Sequence, residues 1–286
     1  MPAHSPTAAP LLPVTVVIPV HNEERNLPGC LAQLGRFAKV IVIDSASTDR
    51  TPTIAHEAAA EYLAFTWDGR FPKKRNWVLL THSFATPWVL FLDADEYLTD
   101  AFVEELAGIL PQTPHSGFWL RYTTFFMGRQ LRHGIPMRKL ALLRVGAGLY
   151  ERIDEDHWSN LDMEVHEHPI VRGSVGELRS PITHNDYKGL HAYIRRHNDY
   201  SSWEAARYAQ LQATPEAWTD FTPRQKRKYR SLAKWWLAPL YFLHTYVWKL
   251  GFLDGFPGLA FALMKAIYFF QIRLKILEQR QPPQRA

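Results

Sequence analysis

The chain has 286 residues, of which 47% are hydrophobic, so it is long enough to bury a large core. A single cysteine, Cys30, excludes an internal disulfide and suits a reducing compartment. The formal net charge of +5 is uneven: residues 211–286 carry 12 Lys or Arg against 4 Asp or Glu, and residues 1–210 carry 21 against 24. A mildly acidic first part argues against nucleic-acid binding, which needs a basic face on the folded domain.

Short apolar runs alternate with helical patterns over the first half of the chain. Residues 1–13 are rich in Pro and Ala and lack the features of a signal peptide, so we expect a mobile leader there. The apolar runs predict strands at residues 14–19, 40–44, 62–65 and 88–93. Helices are predicted after Asn26 as N-cap, from Thr51-Pro52, from Asn76, and in a segment that stops at Pro111. This β-α-β-α order predicts a parallel sheet with right-handed crossovers.

Polar residues follow three of these strands, at 21–23, 44–47 and 93–95. The carboxyl ends of parallel strands share one edge of a sheet, which is where open α/β sheets bind ligands. Asp93 and Asp95 can share a Mg²⁺ or Mn²⁺ ion, which in turn can hold a diphosphate, and Asp44 can accept from a ribose hydroxyl or a base NH. The chain contains neither a Gly-x-Gly-x-x-Gly motif after the first strand nor a Gly-Lys-Ser/Thr phosphate loop. Nucleotide chemistry without a dinucleotide or P-loop fold is therefore predicted.

Three ordered motifs carry a family resemblance: Val17-Ile-Pro-Val-His-Asn-Glu23, Ile43-Asp-Ser-Ala-Ser-Thr-Asp-Arg-Thr51 and Leu92-Asp-Ala-Asp-Glu96. With them, residues 14 to about 200 resemble the family 2 glycosyltransferases. Motifs at 71–76, 132–134, 138–144, 165–167 and 184–188 resemble the branch that contains the bacterial lipopolysaccharide-core β-1,4-glucosyltransferases. The resemblance implies an α/β GT-A fold, which is Rossmann-like with a mostly parallel central sheet and flanking helices, here followed by C-terminal amphipathic helices.

The resemblance also implies an activity and a set of site residues. The enzyme would move a sugar from a nucleotide diphosphate donor, a UDP-hexose such as UDP-glucose, to a membrane-anchored glycolipid or polysaccharide precursor, by metal-assisted single displacement with inversion. Asp44 would contact the nucleotide, Asp93 the ribose or the metal, and Asp95 the metal and the diphosphate. His184 is a further candidate metal ligand. The expected donor-binding residues are Pro19, His21, Glu23, Asp44, Ser45, Lys74, Arg75, Asp93, Arg138 and Arg144.

Inversion in one displacement needs a base that takes the proton of the acceptor hydroxyl. Seven acids lie between residues 151 and 167, and we interpret most of them as a solvated loop. We favour Glu167 as the base, because it belongs to the motif Val165-His-Glu-His168 and lies between apolar residues. Glu164 and Asp156 are the alternatives, in that order.

The last part of the chain has the composition of a membrane surface. We place a GT-A domain at residues 14–210 and a helical, membrane-associating region at 211–286. Basic residues cluster from Arg224 to Lys234, and an aromatic apolar run follows to Trp248. The apolar runs are interrupted by Pro239, Lys249 and Lys265 and fall near or below the ~20 residues of a span. We therefore expect residues 224–272 to lie on an anionic membrane, on the cytoplasmic face of a bacterial inner membrane, as a peripheral or monotopic anchor.

Two other classes of protein stay open at this point. A sugar-1-phosphate nucleotidyltransferase also combines a Rossmann-like sheet with carboxylate-bound Mg²⁺, but it would carry a Gly-rich, Arg-containing loop after the first strand, which Pro19 to Glu23 does not resemble. A non-catalytic membrane adaptor would have no use for three acidic strand ends on one edge. Binding of UDP with Mn²⁺ separates the adaptor from a glycosyltransferase, since an adaptor should show none.

Overall fold

The computed structural model describes residues 10–153, 155, 159, 161–162, 169–184, 189–214, 218 and 221–280, without the side chain of residue 224. The chain divides into two compact units. The first contains the residues up to Thr123 together with 137–185, and the second contains Thr124–Pro136 with the residues from 186 onward.

The first unit is built on a mostly parallel sheet. Its strands β1 (Leu12–Val20), β2 (Phe37–Asp44), β3 (Glu61–Ala64) and β4 (Trp88–Phe91) lie in the order β3-β2-β1-β4 and are all parallel. They coincide with the four predicted strands, although each differs from its predicted bounds by one to three residues. The β-branched and aromatic side chains of β1 and β4 are buried on both faces of the sheet, as in other parallel sheets.

Helices flank these strands, as the sequence pattern predicts. They are α1 (Leu27–Ala32), α2 (Thr51–Glu57), α3 (Lys74–Thr81) and α4 (Asp100–Ile109). Pro52 occupies the first turn of α2 as predicted, since a proline N–H is not needed there. Asn26 does not cap α1 with its side chain, contrary to expectation; its amide donates instead to Glu23 Oε2 at 2.8 Å.

Beyond β4 the sheet becomes mixed. β5 (Glu96–Tyr97), β6 (Gly117–Phe126), β8 (Arg138–Arg144) and β12 (Ile182–His184) extend it in the order β4-β8-β6-β12-β5, and β11 (Val175–Glu177) pairs with β6. β8 is antiparallel to β4 and β6, β12 is antiparallel to β5, and β11 is parallel to β6. β9 (Gly148–Leu149) and β10 (Ile170–Val171) form a separate pair. The strand β8 is antiparallel to β4, so it begins at the edge where β4 ends.

The second unit combines a hairpin with helices. The hairpin joins the end of β6 to β7 (Arg129–Leu131), and the helices are α5 (Gly189–Ala213), α6 (Pro223–Leu232), α7 (Leu237–Leu243) and α8 (Gly255–Gln279), with a π-helical turn at His244–Trp248 and a 3₁₀ turn at Gly251–Asp254. Asp254 fixes the hairpin, because its carboxylate accepts from the backbone N–H groups of Arg132 and His133 at 2.9–3.1 Å.

Helix α8 has a buried side and an exposed side. Ile272 and Ile276 pack with Tyr208 and Leu211 of α5. The opposite face exposes Leu263, Ile267, Phe270 and Leu274, which are spaced four, three and four residues apart. Among the described residues, one helix, Gly251–Gln279, is long and apolar enough to cross a membrane by length and composition, a test that core helices of soluble proteins also pass. The sequence pattern placed this run near or below the length of a span, and length and composition alone do not decide between a spanning helix and a surface helix, so the monotopic arrangement stays a prediction.

The structural division differs from the boundary placed at residue 210. Helix α5, which the sequence analysis assigned to the first domain, belongs to the helical unit because it packs along α8. The hairpin at Thr124–Pro136 belongs to the same unit, although it lies far from the helices in the sequence.

Candidate active site

The ends of β1 and β2 are joined by their polar side chains. Val20 is paired with Asp44 in the parallel register, so the two strands end together. His21 Nδ1 lies 2.7 Å from the carbonyl oxygen of Ser45, and the N–H of Asn22, a residue with a positive φ of 55°, donates to Ser47 Oγ at 2.8 Å. Pro19, His21, Ser45 and the loop to Glu23 therefore lie at one carboxyl edge, as predicted.

Asp44 is fully buried at this edge. Its Oδ1 accepts from the hydroxyl of Ser47 at 2.5 Å, and its Oδ2 accepts from the hydroxyl of Tyr62 at 2.8 Å. Burial and this hydrogen bond raise the pKa of Tyr62 to about 12. The carboxylate of Asp44 thus stabilises the turn after β2. If Asp44 affects nucleotide binding, it does so by holding that turn in place.

Lys74 is a buried residue that connects the ends of β1 and β2. It is 1% exposed, and its Nζ donates to the carbonyl oxygen of Val20 at 3.0 Å and lies 3.1 Å from Asp162 Oδ2. The same Asp162 oxygen accepts from the hydroxyl of Ser45. Burial lowers the pKa of Lys74, against the opposing charge of Asp162. Lys74, one of the expected donor-binding residues, is thus buried between Val20 and Asp162.

Two residues of the presumed solvated loop are paired and at least partly buried. Asp162 pairs with Lys74, and burial, which would raise its pKa, is outweighed by Lys74 and the Ser45 hydroxyl, so that the pKa is lowered. Glu155 is 0% exposed and forms an ion pair with Lys73, which is 5% exposed. Glu155 and Asp162 are therefore exceptions to the solvated-loop interpretation, which was made for most of the seven acids. The adjacent lysines Lys73 and Lys74 are visible in the sequence as possible partners of acidic residues. Nothing in the sequence shows that they pair with Glu155 and Asp162.

Asp93, the first carboxylate after β4, is held by two cations. Arg75 Nη2 donates to its Oδ1 at 2.8 Å, and Lys139 Nζ donates to its Oδ2 at 2.7 Å. Burial alone would raise the pKa of Asp93, but Lys139 and Arg75 outweigh it and hold that pKa well below the usual range. Arg75 thus lies at the predicted donor site, where its guanidinium pairs with the carboxylate of Asp93.

Glu96 fixes the turn that carries Asp93 and Asp95. It is 3% exposed; its Oε2 accepts the backbone N–H of Asp93 at 2.9 Å, and its Oε1 accepts the hydroxyl of Tyr122 at 2.7 Å. Burial and the charge of Asp93 raise the pKa of Glu96 to about 7, with Lys139 acting in the opposite direction. Neither Glu96 nor Tyr122 was singled out as a site residue from the sequence.

Asp95 is paired with His184 of strand β12. His184 Nε2 lies 3.4 Å from Asp95 Oδ2, because β12 pairs with β5 directly after the turn. Burial would lower the pKa of His184, but the contact with Asp95 and the nearby carboxylates raise it. In the part of the chain that the structure describes, no group of three or more His, Cys, Asp or Glu side chains is arranged to hold a metal ion. Of the three expected metal ligands, Asp95 and His184 contact each other, whereas Asp93 is paired with Arg75 and Lys139.

A carboxylate and an imidazole still fit a divalent ion that also binds a diphosphate. Mg²⁺ is usually held by one or two carboxylates together with substrate phosphates and water, and Mn²⁺ accepts imidazole as well. Asp95 and His184, whose side chains are 15% and 24% exposed, would supply such a set at this edge of the sheet.

Two further predicted residues, Arg144 and Arg138, lie at opposite ends of β8. Arg144 is paired with Trp88 at the start of β4, at the opposite edge of the sheet, and its guanidinium lies 4.6 Å from the ring centroid of Trp88. Arg138 is at the correct edge but exposed, with its guanidinium 5.0 Å from the ring centroid of Trp119. Arg144 therefore lies away from the donor site, and the role of Arg138 in donor binding stays a prediction. The candidate bases Glu167, Glu164 and Asp156 lie outside the described residues.

Comparisons with known proteins identify a family and several relatives. Residues 15–160 match the family model "Glycosyl transferase family 2". The chain is 26% identical over 279 residues to the lipopolysaccharide core biosynthesis glycosyltransferase LpsC of Rhizobium meliloti, covering 92% of this chain and 93% of LpsC. It is 31% identical over 147 residues to the uncharacterized glycosyltransferase Rv0539 of Mycobacterium tuberculosis, covering 46% of this chain and 66% of that protein.

Among solved structures, S. aureus TarS matches with a TM-score of 0.45 and 14% identity, over 93% of this chain and 53% of the TarS chain. The family model spans residues 15–160 of 286, which is just over half of the chain and includes the ends of β1, β2 and β4. It follows from this match that the chain is a glycosyltransferase and belongs to glycosyl transferase family 2.

Proposed function

We propose that this glycosyltransferase moves a hexose from a UDP-hexose, such as UDP-glucose, to a membrane-anchored glycolipid or polysaccharide precursor with inversion. The observation that carries the proposal is the carboxyl edge of β1, β2 and β4, where the loops after β1 and β2 are joined and Asp95 lies beside His184. The resemblance to LpsC, which is named for lipopolysaccharide core biosynthesis, supports a glycolipid acceptor.

In the proposed reaction, the acceptor hydroxyl attacks the anomeric carbon and the bond from that carbon to the diphosphate oxygen breaks. A carboxylate of the chain, Glu167 in our assignment, takes the hydroxyl proton. A Mg²⁺ or Mn²⁺ ion held by Asp95 and His184 would neutralise the charge that develops on the leaving UDP. The loops that follow β1 and β2 would hold the nucleoside, supported from within by Asp44 and Lys74.

A donor screen tests the proposal. The full chain is incubated with Mn²⁺, a set of nucleotide sugars and a bacterial glycolipid fraction, and release of the nucleotide diphosphate is measured. We expect release of UDP that depends on both metal and acceptor. Release from a non-uridine donor would overturn the donor assignment. If the chain neither binds UDP with Mn²⁺ nor turns over any UDP-hexose, the proposed metal-assisted transfer from a UDP donor is wrong.

Replacing Glu167 by Gln should lower turnover by about 10²-fold, because the amide keeps the size of the side chain but cannot accept a proton. Binding of UDP should be unchanged, since the nucleotide is held by other residues. Steady-state kinetics and UDP titration measure the two effects. Normal turnover in Glu167→Gln, with loss of turnover in Glu164→Gln or Asp156→Asn, would move the role to that residue.

We further propose that the helical unit holds the enzyme on the cytoplasmic face of an anionic membrane. The exposed side chains there combine aromatic residues with basic ones, the composition of a membrane interface. Trp235, Trp248 and Phe256 are 72%, 62% and 68% exposed. Lys228 of the predicted basic cluster forms an ion pair with Glu204, with its Nζ 2.5 Å from Glu204 Oε1, and is therefore left out of the variants below.

Flotation with liposomes tests the membrane proposal on the full chain. A truncation after α5 is unsuitable, because α5 packs against α8. The variant Trp235→Ser/Trp248→Ser/Phe256→Ser changes only exposed side chains and should lose binding to phosphatidylglycerol vesicles. Arg227→Gln/Arg230→Gln/Lys234→Gln should weaken binding and its salt dependence, since each cation near such a surface contributes about 1 kcal/mol.

The matched control removes two exposed arginines of the first unit, as Arg172→Gln/Arg179→Gln, and should float like the unmodified chain. Equal flotation of the aromatic variant and the control would contradict the interfacial anchor. Access of a protease to the helical unit from the far side of sealed vesicles would show a span instead.

A further inference from the structure

Lys139 lies between two acidic side chains of the active-site edge. It is the second residue of β8, and its Nζ is 2.7 Å from Asp93 Oδ2 and 3.3 Å from Glu96 Oε1. Successive side chains of a strand point to opposite faces of a sheet. That alternation explains why Lys139 reaches the acids while its neighbour Arg138, the residue expected from the sequence, stacks on Trp119.

The contacts of Asp93 leave little room for a direct metal bond. Its Oδ2 accepts from Lys139, and its Oδ1 accepts from Arg75 at 2.8 Å. Arg75 is 5% exposed, so its charge is poorly screened by water. A divalent cation that approaches Asp93 therefore competes with two side-chain cations for the same oxygens.

Glu96 is engaged in the same network. Its Oε1 accepts from Tyr122 at 2.7 Å in addition to Lys139, and its Oε2 accepts the N–H of Asp93. Lys139 thus ties together the first carboxylate of the turn and the glutamate that shapes it. Asp95 is outside this network and faces His184.

We propose that Lys139 is a positioning residue that sets the affinity of the site for a divalent cation by competing for Asp93 and Glu96. By holding these carboxylates, Lys139 leaves Asp95 and His184 to bind the ion, so that tight binding needs the phosphates of the donor as further ligands. The inference rests on the proposed metal-assisted function. It adds that metal and nucleotide bind cooperatively because of Lys139.

The test measures binding of Mn²⁺ to the full chain without nucleotide, from the loss of the free-ion signal in electron paramagnetic resonance. Lys139→Met removes the competing charge and keeps most of the side-chain length, so we expect Mn²⁺ to bind about tenfold more tightly. Lys139→Arg restores the charge and should return the affinity towards that of the unmodified chain. Lys39→Met, which removes an exposed lysine paired with Glu61, should leave it unchanged.

The second part of the test repeats the titration with UDP. The unmodified chain should bind Mn²⁺ more tightly with UDP than without it, and this difference should shrink in Lys139→Met. Unchanged or weaker binding of Mn²⁺ to Lys139→Met without nucleotide would overturn the role of Lys139 and leave the proposed function intact. If the unmodified chain binds no Mn²⁺ even with UDP, the metal-assisted function itself fails. Thermal melting checks the fold of each variant, and Lys139→Gln provides a second neutral replacement if the Met variant unfolds.

Discussion

Replacing Asp95 by Ala should lower sugar transfer by about 10³-fold while the protein stays folded, because the change removes a ligand for the ion that stabilises the leaving diphosphate. Asp95 lies in a turn at the edge of the sheet, and its carboxylate is 3.4 Å from the imidazole of His184. Its removal therefore leaves the core of the first unit intact. Turnover, Mn²⁺-dependent UDP binding and thermal melting measure the three parts of this expectation.

Asp100→Ala is the matched control, because Asp100 is an exposed aspartate in the first turn of α4, five residues along the chain. It should keep full activity, with a loss of about 0.5 kcal/mol in stability from the helix dipole. Near-normal turnover of Asp95→Ala with metal present would show that the ion is held elsewhere. At Asp93 the same change is less specific, since it removes the carboxylate that pairs with Arg75 and Lys139.

Replacing Glu155 by Ala should lower the free energy of unfolding by about 3–5 kcal/mol, because it takes the carboxylate away from a buried ammonium group. Glu155 is 0% exposed, and Lys73, its ion-pair partner, is 5% exposed. Urea denaturation of the variant and of the unmodified chain measures the difference.

Glu61→Ala provides the comparison, since Glu61 pairs with Lys39 at 2.8 Å and the two side chains are 30% and 48% exposed, so water screens this pair far more than the buried one. Such pairs contribute about 0–1 kcal/mol, so this variant should be nearly as stable as the unmodified chain. The double variant Lys73→Met/Glu155→Leu should recover most of the loss, because neither charge is then left buried. Equal effects of Glu155→Ala and Glu61→Ala would show that the buried pair does not stabilise the fold.

The acids of residues 151–167 also show what local sequence patterns can and cannot predict about burial. Seven acids in a short stretch indicate a solvated loop, because charge runs are usually exposed. Glu155 and Asp162 depart from this rule, since α3 brings Lys73 and Lys74 to them from about 80 residues away in the chain. No periodicity or spacing within the loop carries that information.

The sequence by itself determined the parallel strands β1 to β4, the helices between them and the edge where His21, Asp44 and Asp95 lie. These features depend on local patterns: the buried runs of a parallel strand, the helical spacing of apolar residues, and the rule that parallel strands end at one edge. The family followed from the motifs at those strand ends and is confirmed by the match over residues 15–160.

Only the tertiary structure decided which cations meet which acids. The antiparallel direction of β8 sends Arg144 to the far edge, and the alternation of side chains along the same strand selects Lys139 over Arg138 for Asp93. The pairing of β12 with β5 brings His184 to Asp95. Strand direction, register and long-range pairing are set by contacts between segments distant in the chain, and a shift of one residue would move each of these side chains to the other face of the sheet.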